Sequence, residues 1–388
     1  MKIQSRLKKF RREKSTKKNI LNVRVDNFEY EKKYKDMTSK KKHVKLKKVL
    51  LIILCVILSL LLIFGSVFAY LYHSGKIQFK NPEHEVVIPA DKVQDNGNTV
   101  ETDGTVYVYD EDVMTILLMG IDKDEKTQIK TDEHGTAGQA DAIFLACIDL
   151  EEHKYTILSI NRDSMIDVDV YDTSGNYVGI KKMQACLSFA YGDGKKKSCE
   201  NTSKAISRML FNIPINSYFS INKASIALLN DIIGGVDVPV YDANGNLTGD
   251  YTYLDGKAAY SYIHDRDTEV LDSNLTRMKR QKSYIKAFAS KVIERTKSDY
   301  SIPLELFETI SIYSTTDLNA SKITYLTTNA FASKKDIKIN FKNVPGKVVE
   351  GKDGYAEYEI DTTGLTKVVL DIFYDKAEDN TPTETTTK

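Results

Sequence analysis

A run of twenty-four residues without a charge, Val49–Tyr72, constrains this 388-residue chain more than any other feature. At about 1.5 Å per residue it makes a helix of roughly 36 Å, enough to cross a hydrocarbon core of about 30 Å. A cleaved signal peptide has an apolar region of only about 7–15 residues, and forty-eight residues precede this one. The run is therefore read as an uncleaved transmembrane helix. Eight Lys/Arg from Lys33 to Lys48 place the N-terminus in the cytoplasm by the positive-inside rule. Tyr70, Tyr72 and His73 suit the outer interface, so everything after residue 73 is expected outside the cell.

Charge divides at the same point. The formal net charge of +1 conceals 19 Lys/Arg against 5 Asp/Glu in residues 1–48, and 36 against 49 in the rest. The basic arm shows no helix-turn-helix pattern, zinc spacing or aromatic platform, so nucleic acid is not its expected partner. Orientation of the anchor and attraction to anionic lipid of the bilayer explain it better. Hydrophobic content of 41% and charged content of 28% are those of ordinary folded protein. Four cysteines are too few for a disulfide scaffold, and no histidine pattern suggests a zinc hydrolase.

The spacing of polar and apolar segments predicts a basic cytoplasmic segment (1–48), the transmembrane helix (49–72), an extracellular stalk (73–110), one domain (111–374) and a disordered tail (375–388). Thr115–Met119, Ala142–Ile148 and Tyr155–Ile160 read as strands rich in Ile and Leu, and Val236–Val240 as a fourth. Helices are expected over Cys199–Leu210, Lys223–Ile233 (ended by Gly234-Gly235), Asp255–Tyr262, Thr276–Thr296, Leu304–Ile312, Ser321–Ala332 and Leu365–Phe373. The fold class is α/β, with a central mixed, largely antiparallel sheet between helices.

If the first three strands form a meander, Asp122 follows the first, Asp141 precedes the second and Arg162 follows the third. All three then share one rim of the sheet. Two carboxylates there suit a hard cation such as Mg²⁺ (or Mn²⁺), and an arginine beside them suits phosphate. Each Asp alone reads more readily as a turn or cap residue. On the Thr276 helix, Arg277, Arg280, Gln281 and Tyr284 share one face, and Met278, Ile285, Ala289 and Val292 another, read as the buried stripe. Arginines near a helix N-terminus oppose the dipole, which suggests a bound anion.

Seven blocks, TILLMGID, GQADAIFLACID, LSINRDSMIDVDVYD, KKMQACLSFAYGDG, NDIIGGVDVPV, LDGKAAYSYIHDRD and DSNLTRMKRQ, resemble in their order the LytR-CpsA-Psr family of membrane-anchored cell-wall enzymes. The resemblance covers about Met114 to Ser290. It implies a phosphotransferase that moves a teichoic acid or capsular glycopolymer from a polyprenyl-pyrophosphate carrier to peptidoglycan. Carried over by position, Asp122 and Asp141 hold Mg²⁺, while Arg162, Arg266, Arg277 and Gln281 grip pyrophosphate. Asp163 either orients Arg162 or acts as a base. Lys182, Arg280 and His264 are further candidates for substrate binding, and the helices at 204–233 either line an apolar slot for the carrier or belong to the core.

The chain departs from the family pattern at three places. Gln139 stands where many members have Arg, His264-Asp265-Arg266 replaces Arg-x-Arg, and Asn161 replaces Pro before Arg162. An alternative reading is therefore a non-catalytic protein that binds wall polymer or polyprenyl pyrophosphate. Cys186 and Cys199, which flank a loop in the outer part, read either as a bridge or as two free thiols.

Overall fold

The structure is a computed structural model that describes residues 54–79 and 87–377, except 125, 127–134, 243, 268, 269 and 333–337, together with 6, 9, 11–14, 32, 33 and 35. The basic arm therefore lies almost wholly outside the described residues, as do 49–53 and 378–388. The chain divides into Met1–Tyr70 and Leu71–Lys388. Helix α1 runs Leu54–Phe79, long and apolar enough to cross a membrane, with its apolar window unburied. It continues past Tyr72, where the charge-free run ends.

Three strands follow, β1 (Lys92–Gln94), β2 (Thr99–Thr102) and β3 (Thr105–Tyr109), where a stalk was expected. The turn between β2 and β3 is Asp103-Gly104, with φ of 51° and 69°. Two consecutive positive φ values make the tight turn whose twist matches a hairpin, and Asp-Gly is suited to it. Val100 and Tyr109 are buried in the main core. The stretch is part of the folded body because its β-branched and aromatic residues have a core to enter.

The central sheet begins with β4 (Val113–Ile121), β5 (Ala140–Asp149) and β6 (Lys154–Ile160), paired antiparallel as the meander requires. Next come the hairpin β7 (Met165–Tyr171) and β8 (Tyr177–Gln184), helix α2 (Lys196–Met209), β9 (Ser217–Asn222) and α3 (Ser225–Ile232). A second hairpin, β10 (Val236–Tyr241) and β11 (Leu247–Leu254), leads to α4 (Gly256–His264), α5 (Ser273–Ser298) and α6 (Ile302–Tyr313). The chain closes with β12 (Ser314–Thr316), α7 (Ala320–Ala332), β13 (Ile339–Asn343), the hairpin β14 (Gly346–Glu350) and β15 (Ala356–Ile360), α8 (Thr362–Phe373) and β16 (Tyr374–Lys376). β16 pairs with β3, so residues 375 and 376 are strand rather than tail.

The six-stranded sheet has the order β12-β9-β4-β5-β6-β13. β9 lies parallel to β4, and β13 parallel to β6, while the other neighbours are antiparallel. The α/β class with a mixed, largely antiparallel sheet is thus observed. Alternation along the strands divides the sheet into two faces. Leu117, Met119, Ile121, Ile143, Leu145 and Leu158 enter a core completed by Ile206 of α2 and Val369 and Phe373 of α8. The opposite residues Leu118, Phe144, Phe219 and Ile221 border a cavity. Beyond it, Leu229 and Ile233 next to Val236, Tyr284 and Leu306 form a second cluster. One face of the sheet is packed and the other is left partly open.

Candidate functional site

The cavity between the sheet and helices α3–α6 encloses about 360 Å³, within the ~300–1,000 Å³ typical of ligand sites. Its walls are apolar: Leu118, Phe144, Phe219, Ile226, Phe288 and Ile310. Asp122, Asp141, Lys223, His264, Arg277 and Gln281 also line it. Several of these stand at one rim of the sheet, where β4 and β9 end and β5 begins. Of the helices expected to form an apolar slot, α3 contributes Ile226 and Leu229. α2 instead packs its buried residues into the core on the other face of the sheet.

Asp122, Asp141 and Arg162 share that rim. Asp141 is the second residue of β5 rather than a residue before it. Its Oδ1 accepts from Arg162 Nη1, and its Oδ2 accepts from Arg277 Nη1 at 3.3 Å. Arg162 Nη2 also donates to Gln139 Oε1 at 2.5 Å and to Cys186 Sγ at 3.1 Å. Asp163 lies behind Arg162, its Oδ1 3.3 Å from Nε, and is only 5% exposed. Burial raises the Asp163 pKa, and the guanidinium groups of Arg162, Arg266 and Arg277 pull it back.

Arg277 is 2% exposed, on the buried face of α5 with Asn274, Gln281 and Tyr284. The expected buried stripe was the other face, yet Ile285 and Ala289 are exposed. The burial of polar groups on α5 is made possible by a relay of hydrogen bonds. Asn274 Oδ1 accepts from Arg277 Nε at 3.1 Å and Nη2 at 2.8 Å. Asn274 Nδ2 donates to Asn161 Oδ1 at 2.6 Å, which also accepts from the backbone N–H of Asp163 at 2.9 Å. Burial lowers the Arg277 pKa to about 10, with Asp141 opposing it and Arg162 and Arg266 acting with it. Burial also acts to lower that of Arg162, but Cys186, Asp141 and Asp163 more than offset it, and the net shift is upward.

Lys223 was not singled out from sequence. It follows β9 as Asp122 follows the parallel strand β4, so the two side chains meet. Lys223 Nζ is 2.5 Å from Asp122 Oδ1, 3.4 Å from Asp124 Oδ2 and 5.9 Å from the Tyr260 ring centroid. Without the assignment of β9 no signal could have found it. Burial works to lower the Lys223 pKa, but hydrogen bonds to Asp122 and Tyr260 and the Asp122 charge raise it overall.

The remaining expectations divide. His264 lines the cavity, stacked on Tyr260 at 5.0 Å, and Gln281 lines it with Nε2 3.3 Å from Ile263 O. Arg266 is half-buried and does not line the cavity. Arg280 donates to Asp265 O and lies over the Tyr262 ring, which braces the segment after α4 instead of reaching the cavity. Lys182 sits mid-strand in β8, exposed and opposite Asp167, away from the cavity lining. Cys186 and Cys199 are free and buried. The Cys199 thiol contacts Ser220 and the Cys186 thiol contacts Arg162, so each is engaged elsewhere.

Among the described residues no three His, Cys, Asp or Glu side chains gather to hold a metal ion. Asp122 and Asp141 do supply two hard oxygen donors to one cavity. Both oxygens of Asp141 and Oδ1 of Asp122 are engaged by Arg162, Arg277 and Lys223, so a hard cation such as Mg²⁺, which takes carboxylate, water and phosphate oxygens, would have to replace those ion pairs. Counting the groups of the rim and those just behind it, Arg162, Arg266, Arg277 and Lys223 face Asp122, Asp141 and Asp163. With Asp124, also within 3.4 Å of Lys223, the charges balance, and Arg162, Arg277 and Lys223 are held in place by the carboxylates they pair with.

The chain is 27% identical over 340 residues to the polyisoprenyl-teichoic acid–peptidoglycan teichoic acid transferase TagU of Enterococcus faecalis, covering 83% of this chain and 95% of that one. It is 26% identical over 277 residues to the transferase TagT of the same description from Bacillus subtilis, covering 68% and 75%. A crystal structure of a Streptococcus agalactiae protein superposes with a TM-score of 0.50 at 20% identity, over 69% of this chain and 90% of that one, and so shares the fold. The model of the LytR_cpsA_psr family matches residues 80–371, and the chain belongs to that family.

Proposed function

We infer that the chain transfers an anionic glycopolymer of the teichoic acid or capsule type from a polyprenyl-pyrophosphate carrier to peptidoglycan, on the outer face of the membrane. One observation carries this reading: a cavity with apolar walls is bordered at one rim by Arg277, Lys223, Gln281, Asp122 and Asp141. An apolar chain joined to pyrophosphate has that same division. The names of the two sequence relatives, both teichoic acid transferases, support the reaction class.

In the reaction a peptidoglycan hydroxyl oxygen attacks the phosphorus next to the glycan. The bond from that phosphorus to polyprenyl phosphate breaks, polyprenyl phosphate leaves, and the hydroxyl proton passes to water at the open rim. Phosphoryl transfer asks little covalent participation of the protein, mainly positioning and charge neutralisation. Arg277 and Lys223 hold the phosphate oxygens, Arg162, which does not line the cavity, fixes Asp141 beside them, and Gln281 and His264 orient the group at the cavity mouth. Asp163 is a positioning residue that holds Arg162 from behind. Mg²⁺ (or Mn²⁺) bound by Asp122 and Asp141 would add neutralisation of the phosphate charge.

The test is release of polyprenyl phosphate from a polyprenyl-pyrophosphate glycan by the purified full chain in vesicles, with a peptidoglycan fragment as acceptor. Arg162→Ala and Asp141→Ala are each expected to lower the rate by about 100-fold, the scale of losing one preorganised electrostatic contact. Undiminished release by both variants would overturn the site. Retention of the donor without turnover under any metal would establish a binding protein instead.

A further inference from the structure

The corner where α5 ends and α6 begins exposes a group of large apolar side chains. Ile293 is 60% exposed, Tyr300 87%, Leu304 60% and Phe307 63%. Leu304 and Phe307 lie three residues apart on one face of α6, with Tyr300 one turn before them. Single exposed apolar residues need no explanation, but a cluster of four at one corner marks a contact surface.

Topology places this corner at the end of the sheet opposite the candidate site. α5 starts at the rim, where Arg277 meets Asp141 and Asn274 meets Asn161. Twenty-six residues carry it about 39 Å away. α6 then returns toward the rim, because it leads into β12, whose Ser314 pairs with Ile221 near the end of β9. Tyr300 and Leu304 are therefore at the far end, while Ile310, later on α6, lines the cavity.

The last turns of α1 dock at that same far end. Phe79 O accepts from Asn216 Nδ2 at 3.3 Å, and Asn216 Oδ1 accepts from the N–H of Thr115 near the start of β4. Gly75 packs so closely on α7 that an added Cβ would lie 2.1 Å from Ser321 O. Tyr72 Oη donates to Asn329 Oδ1 at 3.3 Å, and its ring lies 5.2 Å from that of Tyr325. Tyr72, read as an interfacial residue, is seven helical residues from Phe79, or about 10 Å along the helix. Residues 72–79, among the first of the unit Leu71–Lys388, thus lie at the end of that unit that carries the apolar corner.

We propose that Ile293, Tyr300, Leu304 and Phe307 insert into the bilayer surface and form a second, non-covalent membrane contact in addition to the span. Tyr and Phe suit the boundary between head groups and acyl chains. Around the corner Lys291, Arg295 and Lys297 are outnumbered by Glu294, Asp299, Glu305 and Glu308, so insertion rests on apolar area and not on anionic lipid. The contact holds whether or not the rim performs transfer.

The chain has no tryptophan, so a single introduced one reports its own surroundings. Phe307→Trp and Leu304→Trp are made in the full chain and reconstituted in phosphatidylcholine vesicles, with Tyr251→Trp on the β10–β11 hairpin as the comparison. The two α6 variants are expected to emit at shorter wavelength than Tyr251→Trp and to lose most of their emission when the lipid is brominated. Far-ultraviolet circular dichroism unchanged from the parent chain establishes that the variants fold. Emission at the wavelength of water-exposed indole, unquenched by brominated lipid, would overturn the proposal. A shift to shorter wavelength without quenching would also overturn it, because a second copy or another part of the chain would then cover the corner.

Discussion

Replacing Asn274 by alanine isolates how the rim is held together. The side chain is 2% exposed and accepts two hydrogen bonds from the Arg277 guanidinium, while donating one to Asn161. A hydrogen bond to a charged group contributes about 1.5–3 kcal/mol, and a buried donor left unpaired costs about 1–3 kcal/mol. Arg277 would keep Asp141 as its acceptor but lose the partner of Nε and Nη2. A water entering the vacated space would recover part of this, since the site is polar. Asn274→Ala is therefore expected to destabilise the domain by about 2–4 kcal/mol. If the loss is confined to the rim, about 3 kcal/mol appears as a roughly hundredfold lower kcat/KM for release of polyprenyl phosphate. The assay pairs denaturant unfolding of the full chain in detergent with that release rate. Asn161→Ala completes a double-mutant cycle with an expected coupling of about 1 kcal/mol. A shift below about 0.5 kcal/mol in Asn274→Ala, with kcat/KM unchanged, would refute the relay, because such a value is that of an ordinary surface substitution.

Donor affinity, measured by titration with a polyprenyl pyrophosphate, should fall as pH rises through about 10, where the buried Arg277 loses its proton. Stability moves the other way, because above that value the native state binds fewer protons than the unfolded chain; parallel changes would count against the assignment. Lys223→Gln should weaken donor binding by about tenfold, one lost charge-assisted contact, and equal affinity would remove Lys223 from the site. Gly75→Val should separate the end of α1 from α7, since a Cβ would meet Ser321 O at 2.1 Å. Its expected effect is a destabilisation of about 1–3 kcal/mol and new proteolytic cleavage between residues 72 and 90; an unchanged digest would disprove the docking. Reducing agent should leave the unfolding midpoint unchanged, as all four cysteines are free. In the native chain Cys186, whose thiol burial pushes up to about 11, should resist alkylation at pH 8.

What could be read in the sequence follows from which residues are buried and why. β4, β5 and β6 were legible because strands covered on both sides are nearly continuous apolar runs. Strand direction then brought Asp122, Asp141 and Arg162 to one rim without further information. β9 was hidden because SYFSIN is broken by two serines, one on each face of the strand, which meet Lys322 and Cys199. Missing β9 concealed Lys223. The stalk reading ignored Asp103-Gly104, a hairpin signal between runs of Thr, Val and Tyr. The face of α5 was misassigned for a different reason. Hydrophobic periodicity assumes that apolar residues are the buried ones, and here Asn274, Arg277 and Gln281 are buried because each has a partner.

The three departures from the family pattern acquire physical meaning in this arrangement. Arg162 and Arg277 already share one carboxylate, Asp141. A third guanidinium at position 139 would crowd that pair, whereas Gln139 offers an oxygen that accepts from Arg162 and fixes its plane. Asn161, in place of proline, gives Asn274 an acceptor and holds the N–H of Asp163. His264 stacks on Tyr260, and Lys223 lies over the same ring beside Asp122. Positive charge missing from positions 139 and 264 is thus present at the end of β9 instead. The buried arginines keep their geometry through neutral amides, and the lysine, held by Asp122 and Asp124, stands on the side of the rim where Asp122 is more exposed than Asp141.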